Sequence, residues 1–113
     1  MRLLDRQQIE DIAIGSAVLG TGGGGDPYLG KLAALQAIKQ HGPLPLVSVE
    51  ELPDDTLVAL PFAIGSPVPY LERITMTEEI VRAYRAMSRY FGRPIGAVMP
   101  AEIGGVNSVI PLA

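Results

Sequence analysis

The sequence contains no cysteine and no tryptophan, and its one histidine is His41. Without cysteine there can be no disulfide, no zinc–thiolate centre and no cysteine nucleophile, while the redox compartment is left undetermined. Metal chemistry based on carboxylates stays open. The residues themselves name neither a metal nor an organic cofactor.

Aromatic residues make up 5% of the chain, and nine basic residues stand against twelve acidic ones, a net charge of −3. With few aromatic rings and no basic block, we expect no nucleic-acid partner. The first eleven residues include five charged ones and so cannot form the apolar run of a signal peptide or membrane span. We therefore expect a soluble cytoplasmic protein without a membrane partner.

The chain is long enough for one folding unit, since 113 residues cannot supply two separate cores. Apolar residues make up 48% of it, and the mean hydropathy of +0.28 is high for a small monomer. We expect apolar surface that meets another copy, a complementary subunit or a further domain. The apolar ending Val109–Ala113 differs from the polar termini of most domains, and it predicts an incomplete domain.

Helix and strand signals alternate along the chain. Capping residues predict three helices: from Asp5 with Gln8 to near Leu19, from Asp26–Pro27 to His41–Gly42, and from Thr75 with Glu78 to Gly92. Apolar runs predict three strands: Leu44–Val49, Leu57–Gly65 and Ile95–Met99. Pro61 places the second of these strands at an edge or a bulge. The alternation predicts an α/β fold with a mostly parallel sheet and flanking helices.

A glycine-rich loop, Gly20–Gly25, separates the first two helices. Its spacing formally fits a dinucleotide-binding pattern, but that pattern requires a strand before the loop, and here a helix precedes it. Asp26 also places a carboxylate where a phosphate would dock. A neutral amide-like ligand or a cation suits this loop better, and the alternative is a turn that binds nothing.

A second set of polar and glycine residues follows the last predicted strand: Glu102, Gly104, Gly105 and Asn107. Ligands of open α/β sheets bind at such strand ends. Glu102 could serve as a general base or metal ligand, and Asn107 could orient a carbonyl group. The alternative is that Glu102 is merely exposed and Asn107 is a turn or cap residue. Gly65–Pro67 ends the preceding strand and is expected at the same edge.

Two long motifs carry a family resemblance. Leu19 and the run Gly20–Tyr28 (GTGGGGDPY) resemble the signature loop of the S-methyl thiohydantoin desulfurase family, and Glu102–Ser108 (EIGGVNS) resembles its second signature. Between them, Ala63–Pro67 is similar to the family's strand-end segment, so the likeness extends from about Leu4 to the last residue. Family members continue into the rest of this domain and a second, carboxyl-terminal domain. The resemblance therefore implies an amino-terminal part that is inactive or weakly active alone.

The resemblance also implies an activity connected with hydantoin metabolism: water replaces the sulfur substituent of an S-methyl thiohydantoin ring, a hydrolytic carbon–sulfur cleavage. In this reading Glu102 is the catalytic base, and the glycine loops bind a small cyclic amide-type substrate. The expected substrate-binding residues are Gly22, Gly23, Gly24, Gly25, Asp26, Gly104, Gly105 and Asn107. The alternative function is a non-catalytic small-molecule-binding or subunit module.

Overall fold

A computed structural model of the chain describes residues 1–72 and 77–113. Its helices are α1 (Arg6–Gly20), α2 (Pro27–His41), α3 (Pro67–Glu72) and α4 (Thr77–Phe91). Its strands are β1 (Arg2–Leu4), β2 (Leu44–Leu46), β3 (Val58–Ala59) and β4 (Ala97–Val98). Short 3-10 turns occupy Val49–Glu51, Val106–Ser108 and Ile110–Leu112.

The helix starts predicted for α1 and α2 are confirmed. Asp5 and Gln8 form a reciprocal capping box at α1. Asp26 caps α2 by accepting a hydrogen bond from the Tyr28 amide at 2.9 Å, and Pro27 occupies the first turn. The capping box predicted for α4 involves Thr75, which lies outside the described residues.

The predicted parallel sheet is wrong. β1 and β2 pair antiparallel, β3 and β4 pair parallel, and each pair stands as a separate two-stranded sheet. The apolar runs expected to be long strands pair over only two or three residues each. Pro61, which has no amide hydrogen to donate, lies within the second run. An apolar run by itself does not establish a strand covered on both faces, because much of these runs is exposed, with Leu60 at 45% and Met99 at 42%.

The core lies where α1 and α2 meet each other and the C-terminal 3-10 turns. Leu4, Ile9, Ala34 and Val109 form its buried centre. Gly30 lets α2 pack closely against Val106, because a β-carbon at Gly30 would lie 2.9 Å from Cγ2 of Val106. Helices packed on helices and turns replace the expected helices packed on a sheet.

Much apolar surface stays exposed, including Leu19, Phe62, Ile64 and Ile103, of which Ile64 is 86% exposed. This agrees with the high apolar content, and the expected partner or further domain stays a prediction. Within residues 1–72 and 77–113, no helix reaches the length and apolarity that crossing a membrane requires.

Candidate functional site

The two glycine motifs, far apart in sequence, pack directly against each other. The Gly105 amide donates to the Ser16 carbonyl in α1 at 2.8 Å. The Val106 amide donates to the Gly25 carbonyl at 3.0 Å, and the Asn107 amide donates to the Gly24 carbonyl at 3.4 Å. These three backbone hydrogen bonds fix the second motif across the end of α1 and the first glycine loop.

Glycine is required at this contact because the backbones touch. A β-carbon on Gly104 would overlap the backbone of Gly20, and one on Gly105 would overlap the carbonyl carbon of Gly24. A β-carbon on Gly24 would lie 2.6 Å from the Gly104 carbonyl oxygen and 2.8 Å from Oε2 of Glu102. The same geometry therefore places the Glu102 carboxylate against the first loop.

Asn107 attaches a third segment to this pair of loops. Its side chain is buried and pairs with the backbone of Ala63: Oδ1 accepts from the Ala63 amide at 2.8 Å, and Nδ2 donates to the Ala63 carbonyl at 3.1 Å. The Asn107 side chain thus makes the two hydrogen bonds to the Ala63 backbone that a paired strand would make in a sheet. It holds the segment after β3, including Gly65 and Ser66, beside the glycine loops.

A cavity of about 350 Å³ opens between the three segments. This glycine cavity is within the size range of small-molecule sites. It is lined by Gly22, Gly24, Gly25, Asp26, Ala63, Ile64, Gly65, Ser66, Glu102, Val106 and Asn107.

The first loop contributes three glycines with unbonded backbone amides to the lining of the glycine cavity. The amides of Gly22, Gly24 and Gly25 make no hydrogen bond to any residue in the described parts of the chain. All three glycines have positive φ, at +89°, +71° and +81°, a backbone shape that side-chain-bearing residues seldom adopt. Their amides are therefore unbonded donors on residues that line the glycine cavity.

Asp26 and Glu102 give the glycine cavity two carboxylates, and both residues are exposed. Among the described residues, its lining includes no lysine, arginine or histidine. Unpaired negative charge disfavours an anionic ligand and suits a neutral or cationic one. In the same residues, no group of three or more histidine, aspartate or glutamate side chains is arranged to hold a metal ion.

Glu102 also lines a larger cavity, of about 750 Å³. Its lining is mainly apolar and includes Leu4, Ile12, Leu44 and Ile103. We place the site in the smaller glycine cavity, because free backbone amides, two carboxylates and a buried amide side chain converge there. The volume of a cavity alone does not orient a polar ligand.

The structure brings most of the predicted site residues together: Glu102, Gly22, Gly24, Gly25, Asp26 and Asn107 all line the glycine cavity. Gly104 and Gly105 instead provide the close backbone contact beneath it, and the Gly105 amide is bonded to Ser16. Gly23 donates to the Gly20 carbonyl at 2.7 Å and shapes the turn. Their expected roles as ligand contacts stay predictions.

Sequence reasoning missed Ala63, Ile64 and Val106 as wall residues. Nothing in an apolar run marks which member will face a cavity. Asn107 gave the one indication that another segment lies nearby. It is a polar residue in an apolar stretch, and a buried side-chain amide needs hydrogen-bond partners.

The fold and site together define a mixed helix-and-strand domain with a small glycine-lined cavity. The family model described as S-Me-THD-like, N-terminal domain, matches residues 7–113. The chain therefore belongs to the S-Me-THD-like family through its N-terminal domain, which confirms the resemblance seen in the two glycine motifs. Neither the curated proteins nor the solved structures contained a match to the chain.

Proposed function

We propose that the glycine cavity binds an S-methyl thiohydantoin or related hydantoin ring and that Glu102 acts there as the general base of a hydrolytic carbon–sulfur cleavage. The observation that carries the proposal is the convergence of the Glu102 carboxylate with the free amides of Gly24 and Gly25 in one small cavity. Membership of the S-Me-THD-like family supports the choice of ring.

The ring suits the polarity of the cavity. A hydantoin-type ring is flat and neutral and carries carbonyl and nitrogen acceptors. The amides of Gly22, Gly24 and Gly25 can donate to these acceptors, and a neutral ring avoids repulsion by the carboxylates of Asp26 and Glu102. Ile64 and Val106 add apolar wall for the ring faces.

The proposed reaction uses the Glu102 carboxylate and the glycine-loop amides. Glu102 takes a proton from water while the water oxygen bonds to the ring carbon that carries the methylthio group. Negative charge then develops on the adjacent ring nitrogen, where glycine-loop amides can stabilise it. As the tetrahedral intermediate collapses, its hydroxyl proton passes to the ring nitrogen, the carbonyl forms and the carbon–sulfur bond breaks. The proton returns from Glu102 to the sulfur, which leaves as methanethiol, and the hydantoin carbonyl remains.

The test is methanethiol release by native protein and by Glu102→Gln, with protein in excess over substrate so that a weakly active chain is still measured. Because the chain has no cysteine, a thiol reagent gives no background from the protein. Glutamine keeps the size of the side chain but cannot take the proton. We expect thiol release to fall by about 10²-fold or more, the usual contribution of a general base, while ring binding is retained.

Glu10→Gln is the matched control, because Glu10 lies in α1, where its Oε1 pairs with Arg6, and does not line the glycine cavity. This control should release methanethiol at the native rate. Equal rates for Glu102→Gln and native protein would contradict the role of Glu102. Ring binding without thiol release by the native chain would contradict catalysis and favour the non-catalytic binding module.

A further inference from the structure

A second cavity, of about 570 Å³, lies beside the glycine cavity, between α4 and the segment that follows β3. We call it the α4 cavity. Its lining is mainly apolar and includes Leu60, Phe62, Ile80, Ala83, Met87 and Ile110. Phe62 is 51% exposed and Met87 is 37% exposed, so apolar surface in this cavity is in contact with water.

The two cavities share a wall. Ala63, Ile64, Gly65 and Ser66 line both of them. Ile64 is 86% exposed, although it lies between two concave surfaces. Asn107 holds Ala63 by two hydrogen bonds, so the wall is fixed at its first residue. A ligand that fills the glycine cavity therefore has apolar surface available directly across this wall.

We infer that the ring bound in the glycine cavity carries an apolar substituent that extends past Ile64 into the α4 cavity. This inference rests on the proposed function and names its substrate class: hydantoin-type rings with an apolar group on the tetrahedral ring carbon. The ring needs hydrogen-bond donors, which the glycine loop provides. The substituent needs apolar contact, which Phe62, Ile80 and Met87 provide.

The lining determines which substituent is favoured. Burying an aromatic or branched aliphatic group removes apolar area from water, whereas a negatively charged group would lose its hydration and would lie near Glu79, which also lines the cavity. Methionine has a flexible side chain that adapts to groups of different shape. Benzyl, isobutyl and similar substituents should therefore bind better than hydrogen or carboxymethyl groups.

The experiment compares two probes, S-methyl thiohydantoin without a substituent and its 5-benzyl derivative, by calorimetric titration of the full chain. We expect the 5-benzyl probe to bind native protein about tenfold to a hundredfold more tightly, the effect of burying one such side chain. Ala83→Phe fills the α4 cavity from α4, where Ala83 is exposed and phenylalanine can be accommodated in the free protein.

Ala83→Phe should bind the 5-benzyl probe about as weakly as the unsubstituted one while binding the unsubstituted ring with native affinity. Ala86→Phe is the matched control, because it makes the same change at an exposed position of α4 that does not line the cavity, and it should bind both probes like native protein.

Equal affinity of the native chain for the two probes would overturn the inference and leave the proposed function standing. The same holds if Ala83→Phe weakens both probes equally, because its effect would then not be confined to the substituent. Failure of both probes to bind the native chain would overturn the proposed function and, with it, this inference.

Discussion

Gly105→Ala tests the contact on which the whole site depends. Gly105 has φ +68°, and a β-carbon there would overlap the Gly24 carbonyl carbon and lie 2.5 Å from the carbonyl oxygens of Gly23 and Gly24. The substitution therefore meets two separate costs, one from backbone conformation and one from packing. A matched position elsewhere in the chain separates them.

That position is Gly92, which follows α4 with φ +67°; within residues 1–72 and 77–113, no atom beyond its chain neighbours lies within 4 Å of an added β-carbon. Gly92→Ala meets only the left-handed conformational cost, about 1–2 kcal/mol. At Gly105 the ψ of −166° lies outside the left-handed helical well, so the conformational cost is at least as large, and forced overlap with backbone that no side-chain rotation can relieve adds about 1–3 kcal/mol. We expect losses of about 1–2 kcal/mol for Gly92→Ala and about 2–5 kcal/mol for Gly105→Ala.

The assay is urea unfolding followed by circular dichroism, with the free energy of unfolding taken from the linear dependence on urea. Since a domain of this size is marginally stable, Gly105→Ala should unfold at much lower urea than Gly92→Ala. If the two variants lose the same free energy of unfolding, Gly105 does not pack against the first glycine loop, and the site as described is refuted.

Two further predictions concern Asn107 and Tyr84. Asn107→Ala leaves the amide and carbonyl of Ala63 without their partner, so we expect a loss of about 1–3 kcal/mol in urea unfolding; an unchanged midpoint would show that this pairing does not hold the shared wall. Burial raises the pKa of Tyr84 from 10.0 to about 12, and its hydroxyl has no hydrogen-bond partner among the described residues. The Tyr84 hydroxyl therefore keeps its proton to higher pH in the folded state than in the unfolded state. The free energy of unfolding that this difference contributes is fully present below pH 10 and is lost as pH rises from about 10 to about 12. Urea unfolding at each pH should show that Tyr84→Phe loses less free energy of unfolding than native protein between pH 10 and 12. The control Tyr90→Phe, which changes an 85% exposed side chain, should lose as much as native protein. The same loss in Tyr84→Phe and native protein would contradict the raised pKa of Tyr84.

Helix ends could be predicted from the sequence because their signals are local. Asp5 with Gln8, and Asp26 with Pro27, satisfy backbone amides within one turn, and no distant contact is needed to recognise them. The Glu78–Arg82 pair on α4 follows from the same local spacing and is present at 2.9 Å.

The sheet could not be predicted because strand pairing depends on distant residues. An apolar run such as Ile95–Met99 favours a strand without showing which segment pairs with it, and here Val98 and Met99 stay 41% and 42% exposed. β1 carries Arg2 and spans three residues, too few for an alternating pattern, so its antiparallel pairing with β2 had no signal in the sequence.

The sequence predicted which residues belong to the candidate site, but it did not predict which of them pack against each other and which line the cavity. The glycine motifs and Glu102 were recognisable as a set. That Gly105 packs against Gly24 while the amides of Gly22 and Gly24 stay available depends on the docking of two loops about eighty residues apart. Only the three-dimensional structure separates packing glycines from cavity glycines.

The most direct test of the glycine cavity as the ring-binding site is a two-dimensional NMR titration of the chain with S-methyl thiohydantoin. The amide resonances of Gly22, Gly24 and Gly25 should shift and saturate together, because these donors bind the ring. Shifts confined to the apolar cavity around Ile12 and Ile103, or no saturable shift at the three glycines, would contradict the assignment of the site.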